Sequence, residues 1–281
     1  MTIEEVKEYI NTSERYSFLR DYSNKIVFLA LGGSFSYGTN TEDSDIDLRG
    51  VYLSNKEDIL LGNNLKKTKN DCGTDTTLYS LENFLYLCAK GNITAIELLY
   101  TRPECFLYVS DISMELLKNR DMFFSTLIYK SIEGYVESCL KNLQSEFTNT
   151  KTMILDQGIV RIQKKKLYKS MVTVYRLLRQ GVHLYKEGTL LNFTDEELAT
   201  MKRVRNGELC QSKNSYCIHG NDTYVVEPTE EYIELISESF KEFDCTKSSI
   251  VLSKGWDDKP DWNRINEFLI NVNEKIVKEV I

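Results

Sequence analysis

Apolar positions along this chain follow two different rhythms. Up to about residue 100 they come in short runs separated by turn residues. Beyond that point they recur with the spacing of helices. Thr2-Ile3-Glu4-Glu5 reads as a capping box that opens a first helix. The dense run Lys25–Leu31 predicts a buried strand, ending at the tight turn Gly32-Gly33-Ser34, after which a helix opens at Phe35. From Asp45 to Leu53 the pattern alternates, with Ile46, Leu48 and Gly50 on one face and Asp45, Asp47 and Arg49 on the other. Thr74–Tyr79 predicts a further strand, Leu81–Lys90 a helix broken at Gly91-Asn92, and Thr94–Tyr100 its continuation.

Arg102-Pro103 marks a boundary, because proline disfavours helical geometry in the residue before it. Periodic helical stretches then run over 111–146, 159–187, 195–206, 229–243 and 261–280. Between them, Ser215–Val226 reads as a small hairpin turning at His219-Gly220-Asn221-Asp222. Strands first and helices later predict an α+β protein, with one domain over 1–105 and a mostly helical domain over 106–281.

Charge and cysteine content narrow the setting. With 35 Lys and Arg against 42 Asp and Glu, the net charge is −7, so any contact with nucleic acid must come from a local basic surface. The 7 cysteines are odd in number, scattered, and form no Cys-x-x-Cys, which argues against a disulfide framework or a disulfide-linked partner and for a reducing cytoplasm. Cys210, Cys217 and His219 are poorly supplied for a zinc site, since His183 is the other histidine of only 2. No window approaches the ~20 apolar residues of a membrane span, and the N-terminus lacks the apolar run of a signal peptide.

The segment richest in chemistry is Gly32-Gly33-Ser34-Phe35-Ser36-Tyr37-Gly38-Thr39 followed by Asp45-Ile46-Asp47-Leu48-Arg49-Gly50-Val51. On a strand, side chains two apart share a face, so Asp45 and Asp47 present two carboxylates together. Oxygen-only donors of that kind suit a hard divalent cation such as Mg²⁺. A glycine-serine turn opening a helix offers free backbone amides and the Ser34 hydroxyl to a phosphate. The segment is not a Walker A loop, for it lacks Gly-Lys-Ser/Thr, nor a dinucleotide fingerprint, for it lacks the third glycine.

Taken in order, Gly33-Ser34-x-x-Tyr37-Gly38-Thr39 and Ser44-Asp45-x-Asp47-x-Arg49-Gly50-Val51 resemble the nucleotidyltransferase superfamily of DNA polymerase β. Within it the chain is most similar to the RNA repair ligase-associated polymerases. The likeness continues through Asp75–Leu81, Gly91-Asn92 with Glu97-Leu98, and Tyr175-Arg176-Leu177-Leu178, departing at Ile93, where similar proteins often carry proline. The resemblance implies a polymerase-β-like domain with a mixed sheet, two Mg²⁺ or Mn²⁺ ions, and nucleotidyl transfer with release of pyrophosphate. It maps Gly33 and Ser34 to the phosphate-holding turn, and Asp45 and Asp47 to metal ligands. Asp75 is the best match for a third catalytic carboxylate, in competition with Asp71, which reads as loop. An RNA 3′ end is the leading acceptor. A protein side chain or small molecule is the alternative, and a nucleotide- or RNA-binding module without turnover is a rival from another class.

Further residues are weighed beside these. Arg49 either binds triphosphate or balances the carboxylates as an ion pair, and Tyr37 either meets the nucleotide or packs. Residues 161–179 carry Arg161, Lys164, Lys165, Lys166, Lys169, Arg176 and Arg179 and no acid. At helical spacing Arg161, Lys165, Lys169, Arg176 and Arg179 share an arc of ~80° opposite Leu167, Met171, Val174 and Leu178. Such a stripe is a candidate grip on triphosphate or a nucleic-acid backbone. Lys202-Arg203-Val204-Arg205 reads as surface, and His183, Trp256 and Trp262 as packing residues.

Overall fold

The computed structural model describes residues 2–41, 44–63, 68–71, 73–149, 157–218, 221–253 and 256–278. The chain runs α1 (Ile3–Thr12), a 3₁₀ segment (Glu14–Tyr22), β1 (Ile26–Leu31), α2 (Gly33–Tyr37), β2 (Leu48–Tyr52), α3 (Lys56–Leu60), β3 (Thr68–Asp71), β4 (Thr76–Ser80), α4 (Leu81–Ala89), α5 (Ile93–Leu98), β5 (Phe106–Val109) and α6 (Asp111–Lys118). It continues with α7 (Leu127–Asn149), α8 (Gln157–Glu187), α9 (Asp195–Arg205), β6 (Cys210–Ile218), β7 (Asn221–Pro228), α10 (Glu230–Ser253) and α11 (Trp262–Val277). The protein is thus α+β, a sheet-bearing N-terminal part followed by a mostly helical one.

Two compact units account for the chain: residues 1–128 with 256–281, and residues 129–255. A boundary at 105/106, expected from the sequence, would put the last helix in the second part, whereas α11 belongs to the first unit. Arg264 on α11 forks onto Asp121, at 2.7 and 3.1 Å. Trp256 stacks on Phe124 with centroids 5.0 Å apart, and Phe124 on Tyr100 at 6.4 Å.

In the first unit a five-stranded sheet has the order β3-β4-β2-β1-β5. It is mixed: β2 and β4 run parallel, while β1 is antiparallel to both β2 and β5, and β3 to β4. β1 reads as an unbroken apolar run because both of its faces are covered. On one side Leu31 and Leu48 meet Val6, Ile10, Tyr16 and Phe35. On the other, Phe28 meets Phe84 of α4 edge to face at 5.5 Å. The Thr2 box forms as anticipated, Glu5 N donating to Thr2 Oγ1 at 3.2 Å and Thr2 N to Glu5 Oε2 at 2.7 Å.

Several local expectations are corrected. The strand read over 45–53 starts at Leu48, so Asp45 and Asp47 precede it. The strand read from Thr74 starts at Thr76, and Asp75 stands in the turn before it. Asp71 is not loop but the last residue of β3, paired with Thr76. β5 went unread because its four residues carry no alternation and follow a proline. The stretch 111–146 breaks between α6 and α7, and the helix read over 229–243 runs on to Ser253. The hairpin is longer than read, β6 pairing with β7 from Cys210↔Pro228 to Ile218↔Asn221, and residues 219 and 220 of its turn lie outside the described residues.

The second unit is organised around α8, whose Leu167, Met171, Val174 and Leu178 are all buried, as their periodicity indicates. Tyr129 of α7 donates to the Gly181 carbonyl at 2.9 Å and packs its ring on Phe243 of α10.

Candidate active site

Strand directions bring three chain segments to one end of the sheet. β1 finishes there at Leu31, and β2 and β4, being parallel, both begin there. Backbone hydrogen bonds tie the three together: Gly32 N donates to Asp47 O at 2.8 Å, and Leu48 N to Asp75 O at 3.1 Å. Since Leu48 is the ladder partner of Thr76, Asp47 and Asp75 are lateral neighbours just outside the register. The backbones at Asp47 and Asp75 are thereby held side by side, about one strand spacing (~4.8 Å) apart.

Gly33 makes the turn at φ +55°, a left-handed conformation that suits glycine, and is itself the first residue of α2. A Cβ on Gly33 would stand 3.2 Å from Asp47 Oδ2, and one on Gly32 would stand 3.0 Å from Arg49 Cγ. The turn is therefore moulded against the Asp47–Arg49 pair. Ser34 is half-buried, and its carbonyl receives Thr39 N at 2.9 Å. The far end of α2 is fastened by Arg102, whose Nη2 donates to Phe35 O at 2.7 Å.

Asp47 and Arg49 share a face, and the structure makes them an ion pair. Arg49 Nε lies 2.8 Å from Asp47 Oδ1, and Nη2 donates to Oδ2 at 3.0 Å. Nη1 donates to Thr77 Oγ1, the residue opposite Arg49 on β4, at 2.5 Å. Asp45 and Asp75 are both exposed. Asp75 has φ +48°, so the strand alternation does not extend to it. Asp71 accepts a hydrogen bond from Thr74 Oγ1 at 2.6 Å. Tyr37, at the end of α2, donates its hydroxyl to Glu97 Oε2 at 2.8 Å, and Glu97 on α5 is buried.

Among the described residues no group of three or more His, Cys, Asp or Glu is arranged to hold a metal ion. The donor chemistry at this end of the sheet is nevertheless that of a hard cation: carboxylates, with Asp47 accepting from the Arg49 guanidinium through Oδ2, while its buried Oδ1 meets Nε at ion-pair distance without hydrogen-bond geometry.

The basic stripe belongs to the second unit and resolves into unlike residues. The side chain of Lys165 lies outside the described residues, and Lys169 is exposed. Arg176 is buried, with Nη1 donating to Gln180 Oε1 at 3.1 Å. Arg179 is held by two carboxylates from other helices, Glu197 of α9 through Nε at 2.5 Å and Glu242 of α10 through Nη1. Buried His183 stands between carboxylates as well, Nδ1 3.0 Å from Glu187 and Nε2 2.8 Å from Glu197. A ring with an acceptor on each nitrogen donates from both, which is the imidazolium form. The hydrogen bond to Glu197 accordingly raises the His183 pKa against the opposing effect of burial. For Glu197, burial would raise the pKa, but His183, the Thr194 amide and Arg179 together bring it down to about 2.

Sequence reasoning did not single out Thr77, Glu97 or Glu197 for these contacts. Glu197 had a visible signal, because Thr194-Asp195-Glu196-Glu197 is itself a capping box. Thr77 and Glu97 are recognisable only once the strand register and the placing of α5 are known.

Comparison with known proteins adds a second line. Over 124 residues the chain is 34% identical to an uncharacterized 38.9 kDa protein of the nrdC-mobD intergenic region of Enterobacteria phage T4. That match covers 40% of this chain and 37% of the phage protein. No helix among the described residues is long and apolar enough to cross a membrane. A family profile matches far more broadly, over residues 4–271, taking in the glycine-serine turn, the aspartates and both units. With that span, this chain belongs to the RNA repair pathway DNA polymerase beta family, a nucleotidyltransferase lineage.

Proposed function

We propose that the protein is a divalent-metal-dependent nucleotidyltransferase that moves a nucleoside monophosphate from a nucleoside triphosphate to the 3′ hydroxyl of an RNA, releasing pyrophosphate. The observation that carries the reading is the meeting, at one end of the sheet, of the Gly32-Gly33 turn with Asp47 and Asp75. Gly33 and Ser34 receive the phosphates through backbone amides and a hydroxyl, with Arg49 and Tyr37 beside them. Asp45, Asp47 and Asp75 would hold Mg²⁺ or Mn²⁺, which when bound neutralises the charge that builds on the phosphoryl oxygens. A turn already fitted to Asp47 limits the reorganisation needed when the phosphates arrive.

In this reading Lys165 and the exposed Lys169 stand as candidates for triphosphate or RNA, while Arg176 and Arg179 serve the interior of the second unit through their present partners.

The test incubates the full chain with each α-labelled nucleoside triphosphate, Mg²⁺ or Mn²⁺, and a pool of small RNAs. Asp45→Ala/Asp47→Ala is the control. Ribonuclease-sensitive label that the double variant loses is the expected outcome. Protease-sensitive label would replace RNA by a protein acceptor, and label in neither, with binding insensitive to the double variant, would leave a non-catalytic binding module.

A further inference from the structure

Arg49 stands where two kinds of ligand would compete for it. Its guanidinium donates to Asp47 Oδ2 at 3.0 Å, stands 2.8 Å from the buried Oδ1 as an ion pair without hydrogen-bond geometry, and donates through Nη1 to Thr77. Both partners are largely shielded, with side chains 22% and 20% exposed. The glycine turn presses on the same pair, leaving the carboxylate little room to turn away. A charge-assisted hydrogen bond from a guanidinium is about twice as strong as a neutral one, and the guanidinium fork suits a phosphate as well as a carboxylate. A hard cation would need the same carboxylate oxygens that Arg49 engages. In the present arrangement Asp47 therefore serves a cation of the protein's own.

We propose that Arg49 is an exchange latch: it neutralises Asp47 while the site is unloaded and hands its fork to the triphosphate when metal and nucleotide enter. This rests on the nucleotidyltransferase reading. The cost of separating Arg49 from Asp47 opposes metal binding until a triphosphate is present to take the guanidinium, and linkage makes the effect reciprocal. Each ligand favours the state in which Arg49 has left Asp47, so the two are taken up together rather than singly. A plain structural ion pair would repel a metal in the same way but would owe nothing to the nucleotide. The two roles are thus separated by nucleotide affinity.

The experiment titrates Mn²⁺ into the full chain, without and with a non-hydrolysable nucleoside triphosphate, followed by the paramagnetic resonance of free Mn²⁺. Binding of a non-hydrolysable nucleoside triphosphate is measured separately in the presence of chelator. Wild type is compared with Arg49→Gln, Arg49→Lys and Asp47→Asn. For Arg49→Gln, Mn²⁺ affinity without nucleotide is expected to rise about tenfold and nucleotide affinity to fall about tenfold, the scale of a charged hydrogen bond lost. Arg49→Lys keeps the charge but not the fork and is expected to move the same way by about threefold, which preserves the test if the glutamine variant does not fold. Tighter Mn²⁺ with unchanged nucleotide affinity would overturn the hand-over, as would unchanged Mn²⁺ affinity. Failure of the wider reading is recognised separately: Mn²⁺ that binds equally well to Asp47→Asn, or not at all even with nucleotide, would remove the metal site together with the latch.

Discussion

Substituting Gly33 by alanine measures how closely the turn is fitted to Asp47. Gly33 has φ +55°, and holding an L-residue there costs about 1–2 kcal/mol. About 0.4–1 kcal/mol returns because alanine narrows the unfolded ensemble. The new Cβ would also stand 3.2 Å from Asp47 Oδ2 and 3.5 Å from Asp47 Cβ, so the carboxylate must retreat from a position fixed by Arg49. Crowding of that kind adds about 1 kcal/mol. Gly62 supplies the control, with φ +67° and no heavy atom within 4 Å of an added Cβ. Gly62→Ala therefore carries the backbone cost alone, about 0.5–1 kcal/mol net. At ~2–4 °C per kcal/mol for a unit of this size, Gly33→Ala should melt about 2–4 °C below Gly62→Ala. Scanning calorimetry reads the melting of the first unit, and nucleotide transfer is assayed in parallel. Transfer should fall at least about tenfold in Gly33→Ala and hold in Gly62→Ala, since only the former displaces Asp47. Equal melting points would refute the packing argument, and undiminished transfer would refute the link from turn to carboxylate.

Other outcomes follow from the charged interior of the second unit and from α2. His183 has a raised pKa, so its stabilisation is full below its ordinary 6.5 and is lost as pH climbs through the raised value. Glu197, brought down to about 2 from an ordinary 4.5, stabilises above 4.5 and loses that contribution as pH falls toward 2. Melting temperature against pH should then peak at about pH 5–6 for this unit, and His183→Gln should flatten the alkaline limb; an unchanged limb would show that the imidazolium is not the group responsible. Glu197→Gln leaves His183 and Arg179 short of a counter-charge and should destabilise by about 3 kcal/mol in urea unfolding, whereas a change below about 1 kcal/mol would mark the cluster as energetically idle. Tyr37→Phe removes the donor to buried Glu97 and should cost about 1 kcal/mol by the same measurement; no loss would mean that Glu97 is served equally well by other groups.

Local chemistry made much of this fold readable, and long-range pairing made the remainder opaque. The Thr2 box, the unbroken apolar run of β1 and the buried face of α8 are written within a few residues of where they act. So is the shared face of Asp47 and Arg49, which are two apart. Asp75 is different. Its place beside Asp47 depends on the parallel register of β2 with β4, and its φ of +48° comes from a turn whose partners are elsewhere. Asp71 reads as loop because Thr68–Asp71 is exposed and polar, and only pairing with β4 makes it a strand. The stripe on α8 shows the same limit from the side of charge. No acid lies among residues 161–179, yet Arg179 finds Glu197 and Glu242 on two other helices. A helix read alone shows which charges it carries but not which charges face it.

The return of α11 to the first unit has a bearing on how the protein is made. Arg264 must find Asp121, and Asp261 N the Met122 carbonyl, across well over a hundred residues of intervening chain. During synthesis the sheet and its glycine turn emerge first, but Ile265, Phe268 and Val272, all buried in the finished molecule, emerge after the entire second unit. The first unit therefore waits, with the surface that α11 will cover still open, while the second has already left the ribosome and is free to fold. Loop closure over such a span grows only slowly with length, so the finished protein bears little penalty for the arrangement. The burden falls on the nascent chain. A translation stop before Trp262 would release a polypeptide whose second unit is whole and whose first unit lacks its last helix.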